Sequence, residues 1–219
     1  HLFELPKIIY IHTAVHHKFY YDEEGYYINN SCYLISNADK FLSVWLNSKI
    51  FSFYKKLNFV AYGDSSESGR AKLDYNKMIN VPIPNISENK KQPFIEKADE
   101  MLSLNKEMQE ISEKFQRTLQ REIFTPKLPE ALPQNNLSKK LQNWYELSFA
   151  DFLKELSKSK GSRPLGLSEK AEWEDYFLQE QQKAISIKSK IEQTDAAIDQ
   201  MVYELYGLTE EEIEIVENS

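Results

Sequence analysis

A single cysteine, Cys32, stands in 219 residues, so the chain can form no internal disulfide, and a reducing cytoplasm is its expected compartment. No apolar run approaches the ~20 residues that a membrane span needs, and no segment has the charged, apolar and small-residue order of a signal peptide, so no membrane is expected. A phosphate-cradling glycine loop, a dinucleotide fingerprint and a paired-cysteine metal spacing are all missing. So is an Asn-Pro-Pro-Tyr-like methyltransferase tetrapeptide. Glu88 and Lys90 match the tail of a nuclease-type acidic triad, but no upstream acid is placed beside them. His12, His16 and His17 invite a zinc reading, yet no fourth ligand accompanies them, and loop or core histidines are the simpler reading. The residues thus supply no catalytic constellation and no metal site.

Glycine and proline are scarce too, six and eight, and their spacing marks out two long uninterrupted stretches. From Ser168 to Gly207 a 3,4 spacing places Trp173, Phe177, Glu180, Ala184, Ile187, Ile191, Thr194, Ile198, Met201 and Leu205 on one side of a single helix. Only Glu180 and Thr194 break the apolar stripe. Ser168 suits the N-cap and Gly207 the stop. At about 1.5 Å per residue such a rod is on the order of 57 Å long, so it requires an equally long partner. Residues 93–123 supply one, with Ile95, Ala98, Met101, Leu102, Met108, Ile111, Phe115 and Leu119 on one face and Pro93 suited to a first helical turn. An antiparallel pair with heptad-like seams is the expected arrangement, against the plainer reading of ordinary bundle helices.

Ahead of the rods the patterning changes. Residues 7–12 (KIIYIH) read as a buried strand, and residues 18–35 as a hairpin about the acidic turn Asp22–Gly25, where Gly25 supplies a positive φ. Cys32 falls in this alternating run and reads as a core thiol. Residues 39–57 repeat apolar positions every three or four, as one amphipathic helix or two in series. Residues 58–72 form a glycine- and serine-rich loop, and NVPIP at 80–84 must run extended. A boundary near residue 87 follows, giving a globular lobe over 1–87 and a helical region over 88–219. Beyond the first rod, Ser148 with Asp151 and Thr209 with Glu212 carry capping patterns for short helices. The expected fold class is α+β: a small mixed β-sheet lobe followed by a helical region with two long antiparallel helices.

The formal charge of -7 argues against a general nucleic-acid binder, but it is unevenly spread. Up to Ser87 nine Lys and Arg face eight Asp and Glu; the remaining eighteen face twenty-six, so the acidity belongs to the helices. Between Lys49 and Lys77 six basic residues face three acidic ones, and a polyanion would be met there.

Several segments together resemble a known family: FYYDEEGYYINNSCYLI, LNSKI, NVPIP, KQPFIEKADEMLSLNKEMQE, KLQNWYELSFADFLKEL, SEKAEWEDYF and IDQMVYELYGLTEEEI. They are similar to the C-terminal region of bifunctional type II restriction-modification enzymes and adenine-specific DNA methyltransferases, the TaqI-type specificity domain related to type I specificity subunits. The resemblance implies target recognition on double-stranded DNA, without catalysis in this region. It also implies a methyltransferase domain in the parent chain that carries S-adenosylmethionine, often with a nuclease domain, to which the helices dock. His1 in place of a methionine agrees with a piece of a longer chain.

If the lobe reads DNA, exposure and base-edge chemistry rank its residues. Ser65, Ser66, Ser68, Arg70 and Lys72 come first, His16, His17 and Lys18 second, and Asn29 and Asn30 third. The plainer readings are a surface ion pair of Arg70 with Asp64 or Glu67, and turn hydrogen bonds for the asparagines. The competing functional class is a protein interaction or oligomerisation module, with a dimer through the helices.

Overall fold

A computed structural model of the chain describes residues 3–59, 70–124, 137–159 and 161–219. They fall into two compact units, His1–Met101 with Thr194–Ser219, and Leu102–Gln193. The expected class holds, with small sheets followed by long helices.

In the first unit β1 (Lys7–Ile11) lies between β3 (Tyr20–Asp22) and β4 (Cys32–Ser36), antiparallel to both. The expected hairpin is therefore not formed: the turn exists, but its two arms pair on opposite sides of β1. The reason is Asp22. Its carboxylate accepts the amides of Glu24, Gly25 and Tyr26 and closes an ion pair with Lys7, both side chains fully buried. Lys7 also donates to the Phe3 carbonyl at 2.8 Å. Strand β3 thus stops at Asp22, and the chain makes its turn through Gly25 at φ +86°. Cys32, expected in the core, is half-buried at the start of β4, opposite Ile11.

One sheet face, with Ile8, Tyr10 and Tyr21, is buried. The apolar residues that pack there come with Phe19, Phe41, Trp45 and Phe51 from the flanking strand end and the helices α1 (Lys40–Asn47) and α2 (Lys49–Asn58). Each such side chain contributes about 1.5–3 kcal/mol by burial. The two helices stand in series because Ser48 ends one and caps the other, accepting the Phe51 amide. Asn47 fixes them to the sheet by exchanging two hydrogen bonds with the Phe19 backbone.

A two-stranded antiparallel ribbon joins β2 (Thr13–Ala14) to β5 (Ala71–Lys72), and a short helix α3 (Tyr75–Met78) follows. Helix α4 (Glu88–Ile123) begins five residues before Pro93, earlier than the sequence suggested, so the proline lies inside it. Tertiary contacts hold the extra turn: Lys91 bridges Asp39 and Glu88 at 2.9 Å each, and Phe94 packs edge-on against Phe41.

The second unit holds the rest of α4, α5 (Lys139–Gln142), α6 (Phe149–Ser157) and most of α7 (Leu167–Tyr206). Here α4 and α7 run antiparallel. The Arg163 amide donates to the Ile123 carbonyl, while Phe115 packs against Trp173 and Phe177 further along both helices. Trp144, Phe152 and Leu141 complete an aromatic core. The sequence stripe of α7 proves to be its inner face: of the ten positions, all are buried or half-buried. Glu180 is buried, with Lys183 at 2.7 Å and Lys114 of α4 at 3.7 Å. Ser168 is not the cap of α7. The helix starts at Leu167, and Glu169 caps it by accepting the Gly166 amide while pairing bidentately with Arg163, which holds its carboxyl down at about 2.

From Thr194 onward α7 belongs to the first unit, and it ends as expected at Gly207, φ +65°. The amides of Gly207 and Leu208 donate to the carbonyls of Glu204 and Tyr203, a Schellman arrangement. Thr209 and Glu212 then form a reciprocal capping box for α8 (Glu210–Glu217), and Ser148 caps α6, both as the sequence patterns indicated. Among the described residues no helix is long and apolar enough to cross a membrane.

Two buried carboxylates in the first unit, Asp22 and Asp199, answer to pH in opposite ways. Removing the cation with Lys7→Met leaves Asp22 buried without a counter-charge. It should lower stability by about 3–5 kcal/mol in chemical denaturation. Burial pushes the Asp22 carboxyl up, but Lys7 and the turn amides outweigh it and hold it below its ordinary 3.8. The pair's contribution is therefore complete above that value and is lost as pH falls through the lower folded-state value.

Asp199 of α7 behaves oppositely. Burial raises it to about 6, against the Lys49 amide that it accepts at 2.8 Å, with Asp195 adding repulsion. Its contribution is complete below 3.8 and is lost as pH rises towards about 6. Asp199→Asn keeps the acceptor. Between pH 4 and 6 it should flatten the stability profile, leaving the variant more stable at pH 7 by on the order of 1–3 kcal/mol.

Candidate functional site

The segments singled out in the sequence converge on His12, at the C-terminal end of the central strand. Its amide donates to the Ser31 carbonyl at 3.3 Å, and its carbonyl accepts the Leu73 amide at 2.8 Å. The backbone of one residue thus joins the turn that carries Asn29 and Asn30 to the strand that carries Lys72. The imidazole packs 5.1 Å from the Tyr33 ring, and its Nδ1 shares a 2.6 Å hydrogen bond with the Thr13 hydroxyl.

From His12 the chain enters the ribbon, where Thr13 lies opposite Lys72 and Ala14 opposite Ala71. That antiparallel register puts Val15 to Lys18 and Arg70 at the same end. His16, Lys18 and Arg70 are exposed. Among the described residues no carboxylate pairs with Arg70; Asp64 and Glu67, its simplest alternative partners, lie outside them, as do Ser65, Ser66 and Ser68. Lys72 is not a loop residue but a strand residue, half-buried and paired with Asp74 at 3.3 Å.

His17 differs from its neighbours. Its ring nitrogens are sealed from solvent, and burial, with Lys55 close by, pushes it down to about 4, so it is neutral at physiological pH. An uncharged, enclosed ring is a packing residue rather than a contact for an anion. Lys55, which the sequence reading passed over, reaches from α2 to the Val15 carbonyl at 3.5 Å and adds a cation behind the same loop. Burial lowers its pKa. The sequence offered His12 only as one of three histidines weighed for zinc and Lys55 only within the basic stretch between Lys49 and Lys77, and it gave Tyr33 no role; residue type alone did not mark them as neighbours at this edge.

Asn29 is occupied: its Oδ1 accepts both the amide and the hydroxyl of Ser31, at 3.0 and 2.5 Å. The turn-former reading holds for it. Asn30 is exposed beside it, and Tyr27, 80% exposed, stands nearby in sequence. Among the described residues no group of His, Cys, Asp or Glu could hold a metal ion. What the edge offers is exposed cations, an amide and aromatic rings on a backbone fixed from both sides, which suits binding to a polyanion.

Comparison with known proteins defines the class first. Residues 1–83 match the TaqI-like C-terminal specificity domain, which supports a recognition region similar to it. Residues 87–202 match the domain of unknown function DUF8810; they make up more than half of the chain, which belongs to that family. The type II methyltransferase M.BanIII of Aneurinibacillus aneurinilyticus is 28% identical over 105 residues, 46% of this chain. The chain spans 18% of the length of that relative. No solved structure matches.

The occupied amide of Asn29 gives a direct check. Asn29→Ala should lower stability by about 1 kcal/mol, the worth of a local side-chain cap. It should leave ligand affinity per folded molecule unchanged, as read by a thermal melt beside a binding titration.

Proposed function

We propose that the chain is the target-recognition region of a restriction-modification enzyme. Residues 1–87 contact double-stranded DNA, and the helical region 88–219 holds them to a methyltransferase domain elsewhere in the parent protein. The observation that carries this reading is the coincidence of the specificity-domain match over 1–83 with one exposed edge that gathers His16, Lys18, Arg70 and Asn30. Phosphate contacts from Lys18 and the His16 edge would set position, while Arg70, with its forked donors, suits guanine O6 and N7, and Asn30 suits adenine N6 and N7. Ser65, Ser66 and Ser68 remain candidates for the same groove.

Adenine is the proposed methylated base, and restriction the proposed companion activity, on the family resemblance. The chain itself does no chemistry in this reading. S-adenosylmethionine is assigned in this reading to the methyltransferase domain of the parent protein. The cytoplasm is the proposed site of action.

The reading is tested with Arg70→Ala, Lys72→Ala and Lys18→Ala in the full-length enzyme. Arg70→Ala should cost about 1–3 kcal/mol and relax the choice of base at one position. Lys18→Ala should weaken binding to all sequences alike and lower the slope of log K against log salt by about 1. Lys72→Ala, whose ammonium Asp74 already holds, should do less than either. Unchanged binding and unchanged target choice in Arg70→Ala and Lys18→Ala would remove this edge from the interface.

A further inference from the structure

The first unit carries a second surface, on α2 and α8, that the recognition edge does not use. Ile50, Tyr54 and Leu57 of α2 face Leu208 and Ile215 of the C-terminal segment across an open groove of about 360 Å³, with Pro82 at one end. Leu57 is 68% exposed and Ile215 59%, although both project from well-formed helices beside a complete core. The floor is rigid: the Trp45 indole donates to the Tyr206 hydroxyl at 3.1 Å, which in turn donates to the Pro82 carbonyl at 3.0 Å. Large apolar side chains held out on a fixed floor form a pre-organised site, because little freedom is lost when something covers them.

Charge says what would cover it. Helix α8 reads EEEIEIVE, and Glu210, Glu211 and Glu214 are exposed along it, whereas Glu212 is engaged in the capping box and Glu217 pairs with Lys49 and Tyr203. On α2, Lys55 reaches away towards the Val15 carbonyl and Lys49 pairs with Glu217, leaving Lys56 exposed. Glu212 lines the groove, and Glu211, four residues before Ile215 and so on the same side of α8, stands next to it. This flank is anionic and disfavours DNA, whose phosphates would meet these carboxylates. We infer that this groove docks an amphipathic protein helix whose apolar face enters between α2 and α8 while its lysines or arginines meet the α8 glutamates.

The test uses the 219-residue chain and two labelled helical peptides. Both carry leucines at i, i+3, i+4 and i+7; one has lysines on its flank and the other glutamates. Fluorescence anisotropy should show saturable binding of the lysine peptide, at least tenfold tighter than its glutamate twin and weakening with added salt. Leu57→Glu and Ile215→Glu should each weaken it tenfold or more. Glu211→Gln with Glu214→Gln should weaken it several-fold while leaving any purely apolar binding. Because Leu57 and Ile215 are exposed, the variants should keep the circular dichroism and melting profile of the parent, and Leu57→Ala serves as the milder probe if Leu57→Glu does not. Absence of saturable binding, equal binding of the two peptides, or binding indifferent to Leu57 and Ile215 would overturn the inference. So would concentration-dependent self-association that Leu57→Glu abolishes, since the groove would then belong to a second copy. None of these readouts involves DNA, so they stand apart from the recognition edge.

Discussion

The buried pair of Lys7 and Asp22 is the constraint on which the front of the molecule rests. An ammonium and a carboxylate taken wholly out of water are tolerable only with their remaining hydrogen bonds satisfied. Here the Phe3 carbonyl and the amides of Glu24, Gly25 and Tyr26 do that. The consequence is topological. With Asp22 fixed opposite Lys7, register is set along β1 and β3, and a one-residue slip would turn Ile8 and Tyr21 out of the core. The far end of β1, where His12 joins two further segments, inherits its position from that register. The candidate edge is thus placed by a bond at the opposite end of the same strand.

A related device recurs in the helices. Glu180 and Thr194 break an otherwise apolar stripe, and both are buried. Within the helical unit Glu180 meets Lys114 across the pair and Lys183 on its own helix. Lys183 follows Glu180 in every register because it lies on the same helix, so only the longer contact with Lys114, at 3.7 Å, depends on how the two helices align, and the hydrophobic residues around it supply the stability. Each long helix gives residues to two cores: α4 lends Phe94 and Ala98 to one and Phe115, Leu119 and Ile123 to the other.

Local chemistry was the most legible part of the sequence. The inner face of α7, its stop at Gly207, the capping box of Thr209 and Glu212, and the break between α1 and α2 all follow from side chains acting within a few residues. Pairing was less legible. An acidic turn with glycine between alternating runs reads as a hairpin, and nothing local states that Asp22 will reach fifteen residues back to Lys7 and let β1 lie between the arms. The early start of α4 is hidden for the same reason, since Lys91 and Phe94 hold that turn through Asp39 and Phe41. At the candidate site, residue types gave Arg70, Lys18 and the asparagines. Burial then separated His17 from His16, and an Asx turn separated Asn29 from Asn30, distinctions that composition does not contain.

The distribution of charge limits how such a lobe can work. With an acidic helical region attached, the non-specific attraction that normally supplies most of a DNA-binding protein's affinity is weak for this chain. Few phosphate contacts are on offer at the His12 edge, so discrimination there would rest on a small number of base contacts made by a backbone already fixed in place, and long-range capture of DNA would fall to whatever basic surface the parent protein adds. Under the proposed function such an arrangement would favour selectivity over residence: a wrong sequence would meet too little cationic surface to be retained, and a right one would be retained through contacts that the wrong one cannot make.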